Sequence, residues 1–180
     1  MKRMAVFCGS GKGTDPVYAE GAKALGEELV RREIGLVYGG AGIGLMGVLA
    51  DTVLAGGGEV IGVMPDDLVQ REAAHTGLTE LRKANSMHER KAEISALADG
   101  FIALPGGPGT LEEFMEVFTW AQLGYHVKPF GLLNIAGYYD PLLAMFDQMN
   151  KEAFLQDAHR ELVLQDASAD RLVQELAERS

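Results

Sequence analysis

Cysteine is nearly absent from this chain. Cys8 is the only one in 180 residues, so no internal disulfide can form, and a reducing, cytoplasmic setting is expected. Long apolar runs are missing as well. No stretch approaches the roughly 20 apolar residues of a membrane span, and the run Met4 to Cys8 behind the basic Met1-Lys2-Arg3 is too short for a secretion signal. Positive charge is scarce. Sixteen Lys and Arg against 26 Asp and Glu leave a net charge of −10, which excludes the broad positive field that nucleic-acid or anionic-membrane binding needs. The histidines at 75, 88, 126 and 159 have no metal-ligand spacing, and none pairs with a serine in a nucleophile elbow. No metal and no cofactor are therefore expected. Linkers, repeats and low-complexity segments are also lacking, so residues 1–180 read as a single domain with room for a real core.

Glycine is plentiful, at 23 residues, and it is clustered. Short apolar runs at 4–8, 34–38, 59–64, 78–83, 100–104, 129–134 and 161–165 read as strands. Helical patterns at about 15–32, 44–56, 86–98, 110–124, 140–150 and 168–178 alternate with them. That order predicts an α/β fold, a Rossmann-like three-layer αβα sandwich around a parallel sheet of about seven strands. The continuous apolar character of the strands fits burial on both faces. Ligands of such sheets bind beyond the carboxyl ends of the strands. The Gly-rich segments 9–13, 39–47 and 106–109 each follow a strand, which predicts that all three line one edge. Segment 65–77 reads as a loop or short helix over the site.

The run from Phe101 to Glu113 is the most informative. A strand enters a Gly-rich turn, and the turn enters a helix, so backbone N–H groups and the positive helix end converge as they do on a phosphate. An acid at Glu113, so close behind, suggests chemistry on whatever carries the phosphate. Thr110 and Glu113 also fit a T-x-x-E capping box, and from sequence a cap and a catalyst look alike. Glu112 faces another direction. Phe114, Met115 and Phe118 read as a core stripe, with Trp120 packed elsewhere. Gly42 to Gly47 matches GxGxxG, but the acid that a dinucleotide ribose needs would be Glu59, which opens its strand instead of ending it. Phosphate contact, NAD binding and simple close packing remain open for these glycines. Gly9 to Thr14 has the wrong spacing for a P-loop, although Ser10 and its neighbours can still reach a ligand.

In the helix opened by Ser86, the S-x-x-E pair Ser86 and Glu89 reads as a capping box. Met87, Arg90, Ile94 and Leu97 share one face, which predicts core packing for the apolar three and an inward-pointing Arg90. A buried arginine needs an anion: an internal carboxylate, an active-site acid or a ligand phosphate. With Arg82, Lys83 and Lys91 it predicts a local positive patch for one anionic small molecule.

Pro105-Gly106-Gly107-Pro108-Gly109-Thr110-Leu111-Glu112-Glu113 resembles the PGGxGTxxE hallmark of the LOG (Lonely Guy) family, cytokinin riboside 5′-monophosphate phosphoribohydrolases also known as lysine decarboxylase-like proteins. Met87 to Glu93 is similar to the family's MHxRKAE segment. Val37-Tyr38-Gly39-Gly40 with Gly44-Leu45-Met46-Gly47 is similar to its YGGxxxGLMG segment. Thr119 to Gly124, and Lys128-Pro129 with Gly131-Leu132, also fit, and the likeness covers about residues 4–155. It implies a Rossmann-type homodimer with Arg90 and Glu113 catalytic. It implies substrate contact at Glu72, Lys91, Thr119 and the turn residues Gly106, Gly107, Gly109 and Thr110. Met87, Gly9, Ser10 and Gly40 complete the candidate contacts. The expected substrate is a purine nucleoside 5′-monophosphate, with free base and ribose 5-phosphate as products. Pro108 stands where plant members usually carry Tyr, and 65–77 also departs, which leaves plain and N6-prenylated adenine open. A non-catalytic nucleotide sensor and a pyridoxal-phosphate-dependent decarboxylase are the competing readings. No lysine sits in a recognisable cofactor pocket, and 180 residues is short for such a decarboxylase.

Overall fold

A computed structural model describes residues 1–69 and 74–180. The strands are β1 (Arg3–Phe7), β2 (Gly35–Tyr38), β3 (Val60–Pro65), β4 (Glu80–Ala84), β5 (Gly100–Ala103), β6 (Phe130–Leu133) and β7 (Val163–Asp166). They form one seven-stranded sheet in the order β4-β3-β2-β1-β5-β6-β7, and every pairing is parallel. The helices are α1 (Pro16–Arg31), α2 (Gly44–Ala55), α3 (Asp66–Val69), α4 (Met87–Leu97), α5 (Pro108–Gln122), α6 (Asp140–Lys151), α7 (Asp157–Arg160) and α8 (Ala169–Glu178).

Alternation along each strand divides the core into two layers. Met4 and Val6 of β1 pack with Leu25, Leu29, Leu49, Val53 and Leu172 on the side of α1, α2 and α8. Ala5 and Phe7 pack with Ile94, Phe114, Phe118 and Phe146 on the side of α4, α5 and α6. Phe118 sits with its ring centroid 5.5 Å from both Phe130 and Phe146, so the predicted α5 stripe fixes that helix on the sheet. Each such fully buried side chain contributes about 1.5–3 kcal/mol.

Several boundaries differ from the sequence reading, most by one residue; the starts of three elements move by two. Strand β4 begins at Glu80 instead of 78, because Thr79 uses its side-chain Oγ1 to accept the Val60 N–H at 3.0 Å. Strand β7 begins at Val163 instead of 161 because the short helix α7, which carries no strong apolar periodicity, occupies the chain before it. Helix α5 begins at Pro108 instead of 110, with Gly107 as an extended N-cap. Proline at the first helical position loses no hydrogen bond and already has helical φ.

The strand order reverses between β1 and β5. The crevice beyond their carboxyl ends lies between the loop after β1 and the loop after β5, where doubly wound sheets hold ligands. No helix among the described residues is long and apolar enough to cross a membrane.

Candidate active site

A groove of two lobes opens at this switch point. One lobe, about 300 Å³, is lined among others by Cys8, Gly39, Met46, Arg90, Thr110 and Glu113. The other, about 340 Å³, is lined by Lys12, Gly13, Tyr18, Leu45, Gly106 and Tyr138 among others. Gly9, Ser10 and Gly107 line both, so the two lobes meet at the α5 N-terminus.

The turn into α5 is built by close approach. A side chain at Gly106 would run into the Thr110 side chain and come within 2.9 Å of the Gly9 nitrogen. Gly9 in turn donates its N–H to Pro105 O at 3.1 Å, tying the first loop to the turn. Gly107 and Gly109 are different: a Cβ there would meet nothing within 4 Å. Their lack of a side chain leaves open space in front of the helix start. The leading N–H groups of a helix have no internal acceptor; Leu111 is the first to find one, on Gly107 O at 3.2 Å.

Thr110 is the third residue of α5 and its side chain is buried against the turn. The capping-box reading of Thr110 and Glu113 is therefore out of register, since the N-cap is Gly107 and Glu113 lies a full turn further in. Glu113 meets Arg90 instead. Its Oε1 stands 3.0 Å from Arg90 Nη1, with each side chain only 12% exposed. The contact is an ion pair outside ordinary hydrogen-bond geometry, and this buried Oε1 has no other partner among the described residues. Burial raises the Glu113 pKa above the ordinary carboxylate range, and the Arg90 charge opposes that rise without cancelling it.

Arg90 is aimed by its surroundings. Ser86 Oγ accepts the Glu89 N–H at 3.1 Å, and Glu89 reaches back to the Asn85 N–H at 2.8 Å, so the predicted capping box starts α4 where it should. One turn on, Arg90 Nε donates to Val63 O at 3.1 Å. Its Nη2 lies flat over Gly39, where any Cβ would overlap it. Gly39 belongs to the Gly-rich segment 39–47 expected along this edge, but the sequence predicts no individual role for it; the signal is its place directly after β2, the strand beside β1.

Other expected contacts fall in different places. Ser10, Gly9, Gly106, Gly107, Gly109 and Thr110 line the groove. Met87 also lines it and is 44% exposed, so it does not pack in the core as its spacing predicted. Met87 in the first turn of α4 turns to the groove instead, and only Ile94 of that helix is buried. Gly40 is buried behind Met64 and Leu81 with φ +87. Thr119 is exposed on α5 and donates to Met115 O at 2.7 Å. Glu72 lies outside the described residues.

The predicted positive patch is not one. Lys91 Nζ donates to Glu112 at 2.6 Å and Glu116 at 3.0 Å. Arg82 pairs with Glu80 and Glu93, and Lys83 with Asp66. Each cation finds its acid on another element or further along the chain, a pairing that a run of residues 82–91 cannot reveal. Burial works against charge on Lys91, yet its two carboxylates hold its pKa above the usual value.

The glycines of the 42–47 segment serve packing. A Cβ on Gly44 would strike the Ser10 backbone, and one on Gly47 would come within 2.5 Å of Gly42 O. The Leu45 N–H at the head of α2 is taken by Gly9 O and Gly11 O. Glu59 sits at the opposite sheet edge, bound to Arg3 at 2.8 Å, so the dinucleotide reading has no ribose-binding acid. Cys8 borders the Glu113 lobe, and burial raises its thiol pKa, the Glu113 charge adding to the rise. No group of three or more metal-ligating side chains occurs among the described residues.

The chain is similar to several known proteins. The pattern of a family described as "possible lysine decarboxylase" matches residues 46–176. The cytokinin riboside 5′-monophosphate phosphoribohydrolase LOG of Oryza sativa subsp. japonica is 50% identical over 98% of this chain and 73% of its own length. A phosphoribohydrolase of the same name, LOG7 of Arabidopsis thaliana, is 50% identical over 98% of this chain and 82% of its own. The molybdenum cofactor carrier protein of Chlamydomonas reinhardtii superposes with a TM-score of 0.72 at 20% identity, covering 99% of this chain and 97% of that one, a likeness of fold alone.

Proposed function

The chain belongs to this family of LOG-type phosphoribohydrolases, and from that premise we propose that it hydrolyses the N-glycosidic bond of purine nucleoside 5′-monophosphates. The substrates are AMP or its N6-prenylated form, and the products are free base and ribose 5-phosphate. The observation that carries the reading is the buried Arg90–Glu113 pair, 3.0 Å apart, in a lobe that begins at the open N-terminus of α5.

The 5′-phosphate rests on the unpartnered N–H groups of the turn and the first residues of α5, helped by the helix dipole. That anchor sets C1′ of the ribose toward Glu113. Water attacks C1′ as the bond to the base nitrogen breaks, through an oxocarbenium-like state. The new C1′–O bond replaces the C1′–N bond, and the proton that water loses balances the one the base gains. A buried carboxylate whose Oε1 meets only the Arg90 charge among the described residues can stabilise the positive charge or orient the water. Arg90 holds that carboxylate and offsets charge on the departing base, as an anchor and not a proton donor.

We read the working form as a cytoplasmic homodimer. Support for the dimer comes from the exposed apolar Leu123, Tyr125 and Val127 after α5, and from Thr119 and Lys91, which lie outside the groove of a single chain. The deciding experiment is chromatographic detection of free base from AMP, GMP, CMP and isopentenyl-AMP, each beside its unphosphorylated nucleoside. Base from the purine monophosphates alone is expected; tight binding with no base released would make the protein a sensor instead.

A further inference from the structure

The phosphate cradle contains a weakness of its own. Gly106 and Gly107 are adjacent glycines, and a peptide unit between two glycines has the least steric restraint of any in the chain. The unit is planar and trans, so its C=O and N–H point in opposite directions. Rotation of that one plane would turn the Gly107 N–H away from a phosphate and bring the Gly106 carbonyl oxygen to face it.

A tyrosine from a distant segment bears on that plane. Tyr138 donates its hydroxyl to Gly106 O at 2.6 Å. The next residue, Tyr139, donates to Leu104 O at 2.6 Å. The pair is presented by a tight turn after β6, containing a 3₁₀ turn at Ile135–Gly137 with left-handed φ at Ala136 (+51) and Gly137 (+71). Asn134 holds the turn, accepting the Tyr139 N–H and donating to Asp140, both at 2.7 Å. The two tyrosines are not equivalent. Tyr139 is buried, whereas Tyr138 is 40% exposed and lines the lobe away from Arg90 and Glu113. Gly106 O faces Tyr138, so the Gly107 N–H points away from the Tyr138 hydroxyl.

We propose that Tyr138 is a positioning residue: its hydroxyl fixes the Gly106–Gly107 peptide plane so that the Gly107 N–H faces the substrate's 5′-phosphate. Tyr139 makes the same kind of bond to a peptide that has no N–H to aim, because Pro105 follows Leu104. The pair thus supplies its own control. The inference rests on reading the α5 N-terminus as the phosphate site.

The test compares Tyr138→Phe with Tyr139→Phe in the full chain. Loss of one oriented donor to a charged group predicts about a tenfold rise in KM for AMP in Tyr138→Phe, with kcat within about twofold. The inhibition constant of ribose 5-phosphate rises by the same factor, that of free adenine does not, and the melting temperature holds. Tyr139→Phe lowers the melting temperature and leaves ribose 5-phosphate affinity unchanged. Unchanged KM and ribose 5-phosphate inhibition in Tyr138→Phe, or a loss confined to kcat, would overturn the assignment. Should the wild-type protein release no base, the hydrolase reading fails by itself. Calorimetric titration with ribose 5-phosphate then decides the Tyr138 role, a wild-type affinity about tenfold above Tyr138→Phe supporting it and equal affinities refuting it.

Discussion

Glu113 has what a catalytic carboxylate needs and a cap does not: burial, a cation at 3.0 Å and a place on the lining of the groove. Glu113→Gln keeps the shape and loses the charge, so base release should fall by about 10²–10⁴-fold while the protein stays folded. The pH profile carries a sign. Burial raises the Glu113 pKa, and in the proposed mechanism the working form is the carboxylate. Activity therefore falls as pH drops through that raised value, and the acid limb of kcat/KM lies above the roughly 4.3 of an ordinary glutamate. A limb at or below the ordinary value would remove Glu113 from the role. Gly39 is the matching prediction for Arg90. Its φ is open to other residues, but a Cβ would overlap the Arg90 guanidinium, so Gly39→Ala should lower kcat more than tenfold with KM and melting temperature little changed. The inward direction of Arg90 was legible from helical spacing. The role of Gly39 was not, because a close approach between chain segments leaves no mark on either segment alone.

The elements show why some glycines are structural and others functional. Helix α5 starts on Pro108, two residues before the sequence suggested, and that shift removes the capping-box role: Thr110 falls inside the helix, and Glu113 lines the groove. Helix α2 looks from sequence like a second phosphate site, yet its leading Leu45 N–H is occupied by Gly9 O and Gly11 O. The sequence contained both Gly-rich motifs; which one faces solvent depends on carbonyls from a third loop. Two substitutions separate them. Gly109→Ala meets no atom within 4 Å and needs no left-handed φ, so thermal unfolding should be unchanged or slightly raised, by about 0.4–1 kcal/mol. Its methyl group enters the groove, so KM for AMP should rise. Gly44→Ala combines a φ of +62 with a backbone clash at Ser10 and should unfold at markedly lower temperature. The reverse pattern in thermal melts would exchange the roles assigned to the two helices.

At the scale of the molecule, strand count, parallel sense and layer order were all legible, because doubly buried strands and amphipathic helices leave strong periodic signals. Strand order was not, and the site depends on it. The reversal between β1 and β5 brings residues 8–10, 39, 90 and 106–113 to one crevice. The charge balance was legible only as a sum. A net −10 excluded polyanion partners, but Lys91, Arg82 and Lys83 are each paired with acids, so the proposed anion site is the helix start and its peptide N–H groups instead of a lysine cluster. A cradle of that kind demands a phosphate on the substrate. The most direct test is therefore the release of adenine, measured by chromatography, from AMP and from adenosine under the same conditions. Adenine and ribose 5-phosphate in equal amounts from AMP, with adenosine left intact, is the predicted result; adenosine cleaved as fast as AMP, or AMP bound and left whole, would contradict it.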